Sequence, residues 1–197
     1  MRRTTLPVLL TAVVLGAAVG GLPTAQAHDA DHHRDFEAEL SPVNHHGEGE
    51  VDLRQLDHQL RVTLKARGLD DGIHLAHIHG IRQAQNECPN TSFDTDHNGF
   101  IDIAEGLPAY GPVQITLSNG LNDTGTRLKY RRTFSTLDSG EDIAALGDLD
   151  QYAIVIHGVD LNGDGVANNP NAGGDATNDP DDNEISMPAL CGTIETD

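Results

Sequence analysis

The sequence predicts an all-β domain, an antiparallel Greek-key sandwich or barrel of about eight short strands with two long metal-binding or acidic loops. Three observations predict it. Short strand-like runs recur along the chain, and "FEAEL" and "RVTLKAR" alternate apolar with polar residues. Clusters of Gly, Asn, Asp and Pro separate those runs. No long helical period competes with them.

Residues 1–27 read as an address rather than as part of the fold. Arg2 and Arg3 precede a largely apolar stretch, Leu6 to Val19, and Ala25-Gln26-Ala27 matches a small-residue cleavage site. The apolar stretch is too short and wrongly flanked for a membrane anchor. A secretory signal peptide is expected, leaving 170 residues, 28–197, with an extracellular or cell-envelope location. The formal charge of −19 becomes −21 without the two leader arginines. That balance argues against nucleic acid or an anionic membrane as partner and favours cations; no protein partner can be named from it.

Residues 28–35 form a flexible His- and Asp-rich leader, and one β domain is expected over 36–197. "FEAEL" places Phe36, Ala38 and Leu40 on one face. "GEVDL" follows. "RVTLKAR" sets Val62, Leu64 and Ala66 against Arg61, Thr63, Lys65 and Arg67. "GIHLAHIHG", "PVQITLS", "KYRRTFST", "QYAIVIHG" and "CGTIE" complete the set. "SGEDIAALGDL" is read as one short helix with Ser139 as its cap and Asp142 at the acidic third position.

The long connections are residues 81–111 and 159–189. Loops of that length in a compact domain carry function or are disordered. "DTDHNGFIDIAE" in the first fits D-x-[DN]-x-[DN]-G-x5-E, the EF-hand calcium loop. Asp94, Asp96 and Asn98 supply oxygens, Gly99 permits the sharp turn, Phe100 offers its carbonyl, Asp102 acts at position nine, and Glu105 binds bidentately. A cysteine-containing loop precedes it and no paired EF-hand follows, so it reads as a structural clip. "DLNGDG" in the second loop repeats the opening with Asp160, Asn162 and Asp164, but Asn171 stands at position twelve. Asp175, Asp179, Asp181, Asp182 or Glu184 would have to complete a second calcium site.

"HLAHIHG" carries His77 and His79 on one strand face, two residues apart, with His74 pointing the other way. His157 ends a later strand. Neutral imidazoles suit copper and zinc. His74 or His97 is a further candidate ligand, and His28, His32, His33, His45 and His46 read either as a metal-capturing tail or as a polar leader. In an oxidising compartment the only two cysteines, Cys88 and Cys191, are most simply a disulfide.

The order His77-Ile78-His79, Cys88, His157 and Cys191-Gly192 resembles the copper–zinc superoxide dismutase family over residues 36–195. The resemblance implies an eight-stranded Greek-key barrel, a Cys88–Cys191 bond and a copper-ligand trio. "FEAELSPVNHHGEGEVDL" and "LKARGLDDGIHLAHIHG" also resemble chordin-type (CHRD) domains, which share the "AHIHG" strand of Ala76 to Gly80. Two departures bear on activity. Asp94 stands where a histidine bridging copper and zinc is expected, and Pro188 stands where the dismutase carries a substrate-guiding arginine. The expectation is a secreted calcium-binding domain with a copper site, acting in metal binding or extracellular interaction. A copper-only superoxide dismutase and a purely structural calcium module are the alternatives, and no catalytic residue is assigned.

Overall fold

The computed structural model describes residues 33–56, 58–80, 87–118, 123–135, 143–168 and 184–197. The signal-peptide reading, His28, His32, Ser139, Asp142, Asn171, Asp175, Asp179, Asp181 and Asp182 lie outside the described residues.

Alternation becomes strand where it was expected. Phe36, Ala38 and Leu40 are buried while Glu37 and Glu39 are exposed, and the run is β1 (Arg34–Pro42). β2 (Glu48–Leu56) buries Val51 and Leu53, and β3 (Gln59–Arg67) buries Leu60, Val62, Leu64 and Ala66. A two-residue β4 (Asp71–Gly72) precedes β5 (Leu75–Gly80). Then come β6 (Val113–Thr116), β7 (Arg127–Ser135), β8 (Tyr152–His157), β9 (Val166–Ala167), β10 (Pro188–Thr193) and β11 (Glu195–Thr196).

The main sheet runs β6-β5-β8-β10-β1-β2-β3-β7, antiparallel at every pairing, with β11 added to β1. β1 serves both halves: Arg34–Leu40 pairs with β2, while Ser41 and Pro42 pair with β10. Changing partner within one strand curls the sheet, so the two halves face each other as in a sandwich. Phe36, Leu53 and Leu64 from one half share the core with Ile78, Ile154, Ile156 and Leu190 from the other. Each such side chain contributes about 1.5–3 kcal/mol by leaving water.

β5 and β8 have a second buried face. Ala76, Ile78, Ile154 and Ile156 point into the main core. Ala153 and Val155 point the other way, into a smaller cluster with Tyr110 and Cys191, against which Val43 and Cys88 pack. β8 is therefore buried at all six positions, which its continuous apolar run required. Cys88 and Cys191 form the expected disulfide, with Cα atoms 5.6 Å apart and a separation of 103 positions in sequence. It fastens the start of the 87–111 segment to β10.

One helix was unforeseen, and one helix expectation needs correction. α1 (Ile103–Tyr110) was not anticipated. Its start is a capping box: the Asp102 carboxylate accepts from Glu105 N–H, and the Glu105 carboxylate accepts from Asp102 N–H. Those two residues were absorbed by the calcium motif, which concealed a helix start. The helix expected at "SGEDIAALGDL" is, where described, a 3-10 turn over Ile143–Leu146. Ile143 and Leu146 are drawn into the core, and Gly147 ends the turn with φ 66°.

A disulfide that spans about 100 residues removes unfolded-state entropy worth roughly 4–5 kcal/mol in the chain-entropy model. Replacing both cysteines by alanine should therefore lower unfolding free energy by about 4 kcal/mol in urea titration. A loss below about 1 kcal/mol would show that the crosslink adds little to what the strands already hold.

Candidate metal centre

Register decides where the histidines go. On β5, His77 lies opposite Val155 and His79 opposite Ala153, while Leu75 lies opposite His157. The antiparallel pairing brings the end of β8 beside β5 and places all three imidazoles on the outer face. Their ligand nitrogens lie within 4.8 Å of one another. The rings of His77 and His157 have centroids 5.1 Å apart, and His79 is 5.5 Å from each of the others. His79 and His157 are buried, and His77 forms the half-open edge of the group.

Backbone carbonyls fix two of the three rings. His79 Nδ1 donates to Gly111 O at 2.8 Å, and His157 Nδ1 donates to Ser186 O at 2.6 Å. A carbonyl can only accept, so each Nδ1 carries the proton and each neutral ring leaves Nε2 as a lone pair. Those two Nε2 atoms stand 3.3 Å apart. His77 Nδ1 is buried without a hydrogen-bond partner. Burial lowers the pKa of His77 and of His79 from 6.5 to about 4, and that of His157 to about 3, where the neighbouring rings add to the effect.

Tyr110, a residue the sequence did not single out, closes the group. Its ring meets His79 edge-on at 4.8 Å, it is fully buried, and its hydroxyl has no hydrogen-bond partner. Burial pushes that hydroxyl's pKa up, with Asp102 adding to the rise. Gly106 admits the ring, since a Cβ there would stand 2.6 Å from the Tyr110 oxygen. Gly158, directly after His157, is needed for a similar reason. Its φ is +117°, and a Cβ would meet Ile73 O at 2.4 Å and His74 Nδ1 at 2.5 Å.

The other histidines are placed elsewhere. His74 is buried with Nδ1 3.0 Å from His157 O and Nε2 3.0 Å from Asp70 O, so both nitrogens face carbonyls rather than the trio. His97 occupies the fourth position of the Asp94–Glu105 loop at φ 63°. His45 pairs with Asp70 at 2.6 Å, and its ring lies 5.5 Å from that of His46. His33 stands 3.5 Å from Asp35. Pro188 lies in register opposite His157, at the position where the family resemblance called for arginine.

The Asp94–Glu105 loop gathers its carboxylates inward. Asp94, Asp96 and Glu105 each offer an oxygen within 4.8 Å of the others. Asp94 accepts from Asn98 N and Gly99 N, Asp96 from Asn98 N, and Asn98 Oδ1 from Phe100 N. Glu105 accepts from Thr95 N and Asp96 N on one oxygen and from Asp102 N on the other. The Thr95 hydroxyl and these amides hold its pKa below the usual range. Asn44 anchors the loop to the β1–β2 turn, bonding Ile101 N and Ile101 O at 2.7 Å each.

The second loop repeats this scheme residue for residue. Asp160 accepts from Asp164 N and Gly165 N, Asn162 from Asp164 N, and Asp164 from Val166 N. The twelfth-position role falls to Glu184. One of its oxygens accepts from Leu161 N and Asn162 N, and the other accepts from Asn168 N. Glu184 is fully buried. Sequence spacing obscured it because Glu184 comes well after the position a standard loop reserves.

Set against known proteins, the chain matches no family model and no curated protein. Among the described residues no helix is long and apolar enough to cross a membrane, and the disulfide is compatible with an extracellular location.

The lowered imidazole pKa values have a consequence for folding. Between pH 6.5 and about 4 the unfolded chain binds protons that the folded trio refuses, so stability rises with pH across that window. Acidifying the metal-free protein should therefore cost up to ~1.4 kcal/mol per pH unit for each histidine. Urea midpoints measured from pH 7 to pH 4 check this, and His157→Asn should flatten the slope. An unchanged slope in that variant would mean that the trio does not carry the pH dependence.

Proposed function

We propose that the protein is an extracellular metal-binding β domain that holds copper on His77, His79 and His157 and calcium on its two acidic loops. The 3.3 Å approach of His79 Nε2 to His157 Nε2 carries the reading. Two lone pairs pointed at each other repel, unless a cation lies between them. Two nitrogens each about 2.0–2.1 Å from one tetrahedral ion stand about 3.3–3.4 Å apart. The unpartnered, buried Nδ1 of His77 supplies a third donor. Rings kept neutral at ordinary pH need no deprotonation to bind. Three imidazoles suit copper, which also stands highest in the divalent affinity order.

Calcium is supported by the matched oxygen sets: Asp94, Asp96, Asn98, Phe100 O, Asp102 and Glu105 in one loop, and Asp160, Asn162, Asp164, Val166 O, Asn168 and Glu184 in the other. Hard oxygen ligands in such number suit calcium's coordination of six to eight. A fully buried carboxylate such as Glu184 is costly without a counter-charge, and calcium supplies one. The leader-like pattern of residues 1–27 and the disulfide support secretion into a compartment where calcium is abundant.

Equilibrium dialysis with metal analysis tests the reading. The expected result is one copper and two calcium ions per chain. His157→Ala should weaken copper by at least about 100-fold, since loss of mere supporting partners already costs 10–100-fold. Glu105→Gln and Glu184→Gln should each remove one calcium. Calcium saturation should raise copper affinity, because each loop leads into a carbonyl that holds one of the histidines, and linkage makes the effect reciprocal. Superoxide decay by pulse radiolysis on the copper-loaded domain should be slow, because Pro188 replaces a cationic guide. A near-diffusion-limited rate lost in His157→Ala would establish the dismutase reading instead. Copper retained by a His77→Ala/His79→Ala variant would move the site to the histidine-rich leader.

A further inference from the structure

Charge is distributed against the chain's overall sign on one face of the sheet. The protein has 31 Asp and Glu but only 12 Lys and Arg. Six of those twelve, Arg61, Lys65, Arg67, Arg127, Lys129 and Arg131, are exposed on the same outward face of β3 and β7. Register sets Lys65 opposite Lys129 and Arg67 opposite Arg127. Like charges directly opposite are destabilising, by a few tenths to about 1 kcal/mol each.

Pairing within the fold neutralises only part of this ridge. Lys65 pairs with Glu50 and Arg67 with Glu48 on β2. Among the described residues no carboxylate pairs with Arg61, Arg127, Lys129 or Arg131. β7 ends the strand order, and charged residues on an edge strand discourage edge-to-edge pairing. Edge protection explains β7 alone. It does not explain why the cations continue onto β3, which is paired on both sides.

We propose that the β3–β7 ridge is a docking surface for an extended anionic polysaccharide. The cations form a stripe two strands wide, about 10 Å, and seven residues long from Arg61 to Arg67, about 20 Å along the strand. On its β2 side it is bordered by Glu48, Glu50 and Asp52, followed by Arg54 opposite Arg61; on its other side the sheet ends at β7. A cleft of about 360 Å³ at the Arg61–Arg131 end has Asp35, Glu37, Asp52 and Asp197 on its walls. A flat anionic surface would meet those acids along with the ridge, whereas a linear polymer lies on the stripe alone. The outward residues of β3 and β7 include no aromatic side chain, since Tyr130 and Phe134 pack against the core. Single-stranded nucleic acid binds on aromatic stacking platforms, which this face lacks. A chain of sugars with an anionic group on successive residues needs only the cation spacing. This proposal does not depend on either metal.

Titration calorimetry at about 50 mM salt tests it with two probes, a sulfated heparin-derived octasaccharide and a polygalacturonate oligomer of similar length. The first carries sulfate beside carboxylate and the second carboxylate alone, so binding of the first only assigns sulfate as the recognised anion. Binding of at least one is expected, weakening as salt rises, because neutralised charges release counterions. Arg127→Thr/Lys129→Thr/Arg131→Thr should lose at least tenfold in affinity. Threonine keeps strand propensity at these exposed positions. If that variant melts early, Arg61→Thr/Arg131→Thr gives the same comparison, with a smaller loss expected. No binding of either oligosaccharide at low salt would overturn the proposal. So would unchanged affinity in the variant, or tighter binding of a thymidine oligonucleotide or of phosphatidylglycerol vesicles.

Discussion

The antiparallel register between β5 and β8 is the constraint on which the rest of the structure depends. Side chains alternate with a period of two, so one choice of register assigns every residue of both strands to a face. Ala76, Ile78, Ile154 and Ile156 go to the main core, and His77, His79, Val155 and Ala153 go outward. A slip by one residue would bury two imidazoles among isoleucines and turn the isoleucines out. The apolar face thus enforces the geometry of the polar one. The core face chooses the side of the sheet on which the histidines stand, and the Gly111 and Ser186 carbonyls then fix two of the rings.

An outward face on a sheet is ordinarily wet, yet His79 and His157 are buried. The 87–111 segment makes the difference. The disulfide fastens its start to β10, and Glu87 N donates to Ala109 O, drawing that start against α1. α1 then sets Tyr110 over the outer face, beside Ala153, Val155 and Cys191. Removing water disfavours the imidazolium and leaves polar atoms with few partners, which is why His77 Nδ1 is unsatisfied. A group of neutral, water-excluded nitrogens follows from covering that strand face.

Much of this was legible in the sequence, and what was not has identifiable causes. Strand positions followed from alternation, and the crosslink from a count of two cysteines. The pairing of His77 and His79 followed from their spacing, and their meeting with His157 from a family resemblance in order and position. α1 was missed because Asp102 and Glu105 serve two patterns at once, a capping box and a calcium motif. Glu184 stood among several acids as a possible closing residue, and only the folded chain singles it out. Spacing rules assume that a loop closes locally, and this one is closed by a residue returning from a long excursion. Tyr110 left no signal, because its role arises from contacts made across the fold. The charge ridge was equally invisible to a net-charge argument, since sign per strand is lost in the sum over the chain.

The two acidic loops have a common relation to the histidines. Glu105 lies in the first turn of α1, and that helix ends at Gly111, whose carbonyl accepts from His79 Nδ1. Glu184 opens the short turn that leads into β10, and Ser186 within that turn gives the carbonyl that accepts from His157 Nδ1. The carboxylate that closes each loop is thus a few residues from the carbonyl that sets a ring's tautomer and direction. Met187 N donates to Glu184 O, and Gly158 N donates to Met187 O, carrying the second connection back to the strand end at His157. Both links run through short, hydrogen-bonded backbone, so little slack separates loop from ring. A loop that loosens releases the acceptor that holds an imidazole's proton on Nδ1 and so leaves Nε2 bare. On this geometry the acidic loops are parts of the histidine centre, and the distance between them in sequence measures only how the chain reached it.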